Sequence, residues 1–355
     1  MKKTKQENKK KKTKKKMKLW KKLTIIGASI VMVLSLALGG FIIYFRAGAK
    51  DYYAASEKAF LIPDLKSGVV PQGLEYDSIN NYFLVSGYMK NGSASPLYLV
   101  HRFTGELIKR VTFLKDKNGS PYTGHFGGVA LFSNKFLYVA NGLSVLVYDY
   151  QQVLDAEDGK AIACEGEISL KHDNSDYLKA SFVTVYDSKL IVGEFYDGNK
   201  YTTLSDHKIT TPSGEKNSAI ALEFSLNSSY ELGIDATPKK AYSLPNKVQG
   251  LCFYNNKMYL STSYGLAFSY ILEYDTLSVS AGENQRFLGE AVEVDVYDSS
   301  CLTNEYKIAP MSEEIVMIEN ELYVMSESAS TKYFFGKLIG GKWCYKTNLT
   351  KMKTN

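Results

Sequence analysis

PQGLEYDSINNYFLVSGY, residues 71–88, is the stretch that decides the fold of this 355-residue chain. It reads as a polar opener, an apolar strand, a tight turn and a second strand rich in Tyr, Leu and Val. Four similar stretches follow, and a hairpin that recurs every ~50–70 residues is typical of a β-propeller. The four are HFGGVALFSNKFLYVANG (125–142), KASFVTVYDSKLIVGEFY (179–196), VQGLCFYNNKMYLSTSYG (248–265) and SEEIVMIENELYVMSES (312–328).

The five hairpins predict an all-β, five-bladed propeller, and a degenerate sixth blade within residues 265–310 is the alternative. An outer hairpin is expected at Thr104-Gly105, where RFTGELIKRVTF has its turn. A third strand is visible in most units as an alternating or continuous apolar run. These runs are SPLYLVHRF (95–103), LSVLVYDY (143–150), AIALEFSL (219–226), FSYILEYD (268–275) and KYFFGKLI (332–339).

A second repeat predicts how the ring closes. KAYSLP (240–245) and EYKIAP (305–310) each directly precede a hairpin opener, as the outer strand of a preceding blade would. KAFLIP (58–63) precedes the first opener, although no blade comes before it. We therefore expect residues 58–63 to supply the outer strand of the last blade, with Phe60 close to Phe334, so that no blade edge is left open.

The N-terminal region predicts a membrane anchor. LTIIGASIVMVLSLALGGFIIYF, residues 23–45, has no charged side chain and would span roughly 34 Å as a helix. The lysine-rich residues 1–22 predict a cytoplasmic N-terminus, with residues 46–57 as a stalk and residues 58–355 as an extracellular propeller. The alternative to this single-pass signal-anchor is a signal peptide cleaved near Ala47-Gly48-Ala49.

The charge is divided between the two parts of the chain. Residues 1–22 carry thirteen lysines and one acid, and we expect this tail to lie on the anionic headgroups of the membrane. After Lys50, 28 basic residues face 36 acidic ones, so the predicted propeller is mildly acidic. The composition therefore disfavours nucleic acid as a partner.

Four cysteines lie in the predicted propeller: Cys164, Cys252, Cys301 and Cys344. An exported location permits disulfides, and Cys301 with Cys344 is the pair to test first. Cys252 falls within a predicted inner strand, where a small buried core residue is expected. The spacing contains no CxxC or Cys/His zinc motif.

The openers, the Tyr-rich second strands and the Tyr-Asp and Thr-Gly exits resemble those of bacterial β-propellers. That set includes YVTN-type surface repeats, quinoprotein-like propellers and the gluconolactonase superfamily, and the resemblance covers about residues 58–345. Resemblance to the gluconolactonase group implies a divalent ion on the axis, held by a Glu, Asn and Asp set. The openers here depart from that set: they are Gln72, Gly127, Ser181, Gln249 and Glu313.

Propeller geometry places the start of each first strand and the end of each second strand at the same face, around the axis. His125 is the best candidate there for acid–base chemistry or metal ligation. Of Glu313 and Glu314, alternation allows only one to point inward, and Glu194 and Glu327 would complete an oxygen-rich calcium site. The residues expected at this face are Gln72, Tyr88, His125, Asn141, Ser181, Glu194, Gln249, Tyr264, Glu313 and Glu327.

Three functions are compatible with this pattern. The leading hypothesis is a membrane-anchored module that binds a small molecule, a glycan or an envelope protein, with no catalytic residue assigned and the cofactor left open. The alternative is a metal-dependent hydrolase or lyase of the lactonase or glycan-degrading kind. A third hypothesis is a structural role, in which the polar insertion at residues 197–217 docks another envelope protein.

Overall fold

The computed structural model describes residues 2–116, 119–333 and 335–353, and the chain forms two compact units, Met1–Gly48 and Ala49–Asn355. The first unit is a helix, Lys2–Gly48. Its apolar part, Lys18–Gly48, is 31 residues long and therefore long enough to cross a membrane. The helix thus extends beyond both ends of the predicted span, residues 23–45.

The second unit is a five-bladed propeller of antiparallel four-stranded blades, as predicted. Blade 1 contains Val69–Asp77, Tyr82–Met89, Pro96–His101 and Leu107–Phe113, with Ala161–Ile162 added at its outer edge. Blade 2 contains Val129–Phe132, Phe136–Asn141, Ser144–Asp149 and Cys164–Ser169. Blade 3 contains Ala180–Tyr186, Lys189–Glu194, Ala219–Leu226 and Ile234–Leu244. Blade 4 contains Val248–Tyr254, Lys257–Thr262, Ser269–Asp275 and Leu302–Ile308.

Blade 5 closes the ring in the predicted manner. Its inner strands are Ser312–Ile318, Glu321–Ser326 and Trp343–Thr347, and its outer strand is Ser56–Leu61 from the start of the propeller. The register pairs Phe60 with Cys344 and Ser56 with Thr347. The Phe60 ring also packs on Phe83 of blade 1 at 5.0 Å between centroids. The predicted partner Phe334 lies outside the described residues.

A sixth blade does not form, so that alternative is wrong. Residues 269–275 and 302–308 are the third and fourth strands of blade 4. The segment between them adds Val294–Val296 and Ser280–Ala281 to the outer edge of blade 3, through a parallel pairing with Ile234–Leu244. It also forms a small hairpin, Gln285–Phe287 with Glu290–Val292. Residues 281–286 therefore lie along an outer blade edge.

Two further predictions about local structure are wrong. Residues 332–339 were expected as the third strand of blade 5, but Gly336–Ile339 is a short helix and Trp343–Thr347 takes that place. The expected stalk at residues 46–57 contains a helix, Lys50–Ala54, followed by the outer strand of blade 5. Tyr52 of this helix is buried and meets Tyr345 at 5.7 Å between ring centroids. An apolar face at Ala49, Tyr52 and Ala55 thus turns the end of the expected stalk into part of the propeller core.

Shorter elements complete the propeller unit. The helix Tyr150–Asp155 follows the third strand of blade 2, and its N-terminus is capped by Asp149, which accepts from the Gln151 N–H. Two 3-10 turns are Glu231–Gly233 and Leu349–Lys351. The insertion at residues 197–217 carries a small hairpin, Ile209–Thr210 with Lys216–Asn217.

All four cysteines are buried thiols and none forms a disulfide. Cys301 packs in the core between blades 3 and 4, whereas Cys344 packs in the core of blades 5 and 1. The proposed Cys301–Cys344 pair is therefore wrong. Cys252 is buried in an inner strand, as expected.

Glu314 closes the propeller axis. Its Oε2 accepts hydrogen bonds from the backbone N–H groups of Leu74 in blade 1 (2.7 Å) and Val129 in blade 2 (3.2 Å). The Val183 N–H of blade 3 also stabilises its charged form. Three glycines leave the space that this side chain fills, since a Cβ at Gly73, Gly128 or Gly250 would meet Glu314 atoms at 2.7–3.1 Å. One side chain of blade 5 therefore packs against the first strands of the other four blades.

We expect Gly250→Ala to destabilise the propeller by about 1–3 kcal/mol, because the added Cβ would lie 2.7 Å from the Glu314 Cα and backbone cannot move aside as a flexible side chain can. Urea unfolding of the full chain in lipid nanodiscs measures this change. The control is Gly39→Ala in the apolar helix, where no atom lies within 4 Å of the added Cβ. Equal stability of the two variants would contradict the role given to Glu314.

Candidate functional site

A cavity of about 550 Å³ opens at the axis, on the face where the first strands begin. Nine of the ten predicted site residues line it, and they come from all five blades. Glu314 closes the axis beneath this cavity and lines a smaller one of about 190 Å³ at the other end. The larger cavity, called the axial pocket below, is therefore blind. The nine residues are Gln72, Tyr88, His125, Asn141, Ser181, Gln249, Tyr264, Glu313 and Glu327.

A pair of carboxyl groups from blade 5 forms the acidic part of the axial pocket. Glu313 and Glu327 are 3% and 9% exposed. Burial raises the pKa of Glu327 to about 7, although Lys332 and a 3.4 Å hydrogen bond from Gln72 Nε2 oppose the rise. Burial, together with the charge of Glu327, raises the pKa of Glu313 well above its ordinary value. The pair therefore holds protons at pH values where exposed carboxyl groups are ionised.

Both Glu313 and Glu314 point toward the axis, which contradicts the expectation from strand alternation. The register of blade 5 shifts between Ser312 and Ile315, so the strand carries a bulge at these two residues. A bulge breaks the two-residue period and re-aims side chains. Glu313 consequently lines the axial pocket while Glu314 fills the axis below it.

Lys332 supplies the positive charge at the pocket wall. Its Nζ donates to the Tyr88 Oη at 2.5 Å and lies 4.8 Å from the centroid of the Tyr333 ring. Tyr88 in turn stacks on His125 with 3.9 Å between ring centroids. Burial and the charges of Lys332 and Lys200 lower the pKa of His125, so its imidazole is neutral at pH 7. Lys332 was missed because it lies in the segment expected to be a strand.

Aromatic rings form a second wall, which sequence reasoning found only in part. Phe195 follows the second strand of blade 3 and contacts Tyr201 at 5.4 Å and Tyr264 at 6.1 Å between centroids. Tyr201 and Tyr264 are each 42% exposed, so their rings face the pocket rather than the core. Phe195 and Tyr201 flank the start of the 197–217 insertion, and that position beside a predicted site residue was the available signal.

Glu194 does not line the axial pocket, which corrects the tenth prediction. It is fully buried and its Oε2 lies 2.8 Å from His207 Nδ1, while the Ile220 N–H donates to it at 3.3 Å. His207 belongs to the insertion at residues 197–217 and is itself 2% exposed. The pair therefore fastens the insertion to blade 3, close to Phe195 and Tyr201. Nothing in the sequence separates this histidine from a surface one.

The expected calcium site is not assembled. Glu194 faces His207 and Glu327 faces the axial pocket, so the two do not share a site. Across the described ranges, no group of three or more His, Cys, Asp or Glu side chains is placed to hold a metal ion. The donor set of the pocket is instead two carboxyl groups with amides, hydroxyls and aromatic rings. This arrangement does not favour the metal-dependent alternative.

Comparison with known proteins shows likeness in fold only. No family model matches the chain, and no curated protein matches it. A nidogen/laminin complex aligns with TM-score 0.37 and 9% identity over 73% of this chain and 73% of that one. BamB from Moraxella catarrhalis gives 0.31 and 11% over 72% and 82%, and U3-55K gives 0.37 and 8% over 83% and 99%. At these scores the likenesses say nothing about a ligand.

We expect the stability of the protein to fall as the pH rises from about 4.5 to about 7, because the folded state holds a proton on Glu327 that the unfolded chain has released. Glu327→Gln should reduce the loss in the free energy of unfolding between pH 5 and pH 8 by up to about 3 kcal/mol. Thermal unfolding across that range measures it. Part of the slope should remain, since Glu313 and Glu314 also have raised pKa values.

Glu231→Gln is the control for this measurement, since that side chain is exposed and lies outside the pocket. It should keep the wild-type slope. An unchanged slope in Glu327→Gln would show that this carboxyl group ionises in the folded protein as it does in water.

Proposed function

We propose that this protein is a membrane-anchored binding module that captures a small ligand in the axial pocket. The observation that carries this proposal is the convergence of polar and aromatic side chains from all five blades on one blind cavity of about 550 Å³. Ligand sites are concave, of roughly 300–1,000 Å³, and combine apolar walls with a few polar groups that fix orientation. The axial pocket has these properties.

The side-chain arrangement supports binding over catalysis. A nucleophile or general base works within hydrogen-bond reach of a partner that activates it. The His125 ring stacks on Tyr88 and makes no hydrogen bond to a carboxyl or hydroxyl group of any described residue. The buried histidine that does meet a carboxylate, His207, lies behind the pocket wall with Glu194.

The proposed location is the outer face of the cell membrane, with the N-terminus in the cytoplasm. Lysines at residues 1–22 precede the apolar helix, and positive charge favours the cytoplasmic side. The pocket would then face material outside the cell. The tail would rest on anionic lipid headgroups.

The ligand test is a screen of thermal stability with the full chain in lipid nanodiscs. The panel contains neutral saccharides, polyamines, amino acids and organic acids. A ligand at 100 times its Kd should stabilise the wild type by about 2.7 kcal/mol. Ser181→Trp, which fills the pocket, should abolish the stabilisation.

Ser229→Trp is the matched control, because Ser229 is exposed on an outer loop, away from the pocket. It should respond to ligand as the wild type does. Stabilisation that survives Ser181→Trp, or a panel to which the wild type never responds, would count against the axial pocket as the binding site.

Topology is tested by labelling introduced cysteines with a membrane-impermeant maleimide. The native cysteines are all buried, so the background should be low. Leu277→Cys, at a side chain that is 77% exposed, should be labelled in intact cells. Lys12→Cys in the tail should be labelled only after permeabilisation. The reverse pattern would place the propeller in the cytoplasm.

A further inference from the structure

Two aromatic rings in the axial pocket are exposed to the cavity rather than buried in the core. Tyr201 and Tyr264 are each 42% exposed and line the cavity, and the Phe195 ring contacts both. A buried ring contributes to folding, but an exposed ring in a concave site offers an apolar face to a ligand. The ligand should therefore carry a flat or gently curved apolar face of its own.

Two hydrogen-bonding groups of the same pocket have no partner among the residues that the structure describes. The Glu313 carboxyl is 3% exposed, yet it accepts no hydrogen bond from any residue that the structure describes. The Gln249 side-chain amide also lines the cavity, and within the described ranges it makes no hydrogen bond. Glu313 is buried as a residue and Gln249 is half-buried, and both present hydrogen-bonding groups to the cavity, so the pocket suits a ligand that can both donate and accept hydrogen bonds.

The charges in the pocket oppose both ionic classes of ligand. An anion would approach Glu327, which is partly ionised at pH 7 because its pKa is about 7, and a cation would approach Lys332 at the wall. His125 adds no charge at pH 7, since burial and nearby lysines lower its pKa. Lys332 donates to Tyr88, with no carboxylate oxygen of a described residue within 4 Å of it. An uncharged ligand avoids both repulsions.

We propose that the axial pocket binds a neutral carbohydrate. The C–H face of a pyranose ring would lie on Tyr201 and Tyr264, while its hydroxyl groups bond to Glu313 and Gln249. A sugar ring combines an apolar face with a rim of hydroxyls that both donate and accept. This inference rests on the proposed function, because it names the ligand class of the same pocket.

The test compares saccharides that share a ring but differ in charge. Neutral hexose disaccharides, the corresponding uronates and the corresponding amino sugars are titrated into the full chain in lipid nanodiscs, since glycosidic detergents would compete. The neutral members should bind at least tenfold more tightly than either charged set. Gln249→Ala and Glu313→Gln should each weaken that binding about tenfold.

The ring contact has its own pair of variants. Tyr264→Ala should weaken binding at least tenfold, whereas Tyr264→Phe keeps the aromatic face and should stay within about threefold of the wild type. Tyr230→Ala is the matched control, since Tyr230 is 43% exposed but lies outside the pocket. Thermal unfolding of each variant confirms that it is folded.

The outcomes separate the ligand class from the proposed function. Tighter pocket-dependent binding of neutral saccharides supports the inference. Equal or tighter binding of uronates or amino sugars overturns the inference that the ligand is uncharged. Pocket-dependent binding of a non-saccharide alone overturns the inference that the ligand is a carbohydrate. In both cases the binding module stands. Absence of Ser181→Trp-sensitive binding by any tested compound overturns both proposals.

Discussion

The axial carboxyl group of Glu314 is the constraint on which the rest of the propeller depends. A five-bladed ring leaves a narrow space along its axis, and this side chain occupies it while accepting backbone N–H groups of blades 1 and 2. Burial raises its pKa well above the ordinary range, so its placement is costly without those donors. The glycines at positions 73, 128 and 250 are the complementary half of the arrangement, because any side chain there would occupy the same space.

The same arrangement creates the site. Without a side chain across it, the axis of a propeller is an open channel, whereas Glu314 closes the inner end of the axial pocket. The bulge in blade 5 lets one strand supply both that floor and the acidic residue directly above it. Closure of the ring by Ser56–Leu61 holds blade 5 against blade 1, which keeps Gln72 within 3.4 Å of Glu327. Closure of the ring therefore also fixes the geometry of the axial pocket.

The hairpin repeat predicted the blades, the ring closure and nine pocket residues, since a two-residue strand period and a polar opener are local signals. The remainder depends on contacts between distant segments. Glu194 stands at the end of a second strand like the other site residues, but His207, thirteen positions later, draws it into the core. Lys332 and the Gly336–Ile339 helix occupy a stretch whose apolar pattern also suits a strand. Sequence cannot choose between those two outcomes because packing decides them.

The buried carboxyl groups of the axial pocket also lower the stability of the folded protein. Glu313 and Glu327 are buried side by side, and each is more costly in its charged form than an exposed carboxyl group. A core of matched apolar side chains at these two positions would fold with less strain. Features that oppose stability while the surrounding scaffold is regular are typical of functional sites. Glu314 and Glu313 differ in what they contact: the Oε2 of Glu314 accepts backbone N–H groups and serves the fold, while its Oε1 is buried without a hydrogen-bond partner among the described residues, and Glu313 lines the cavity.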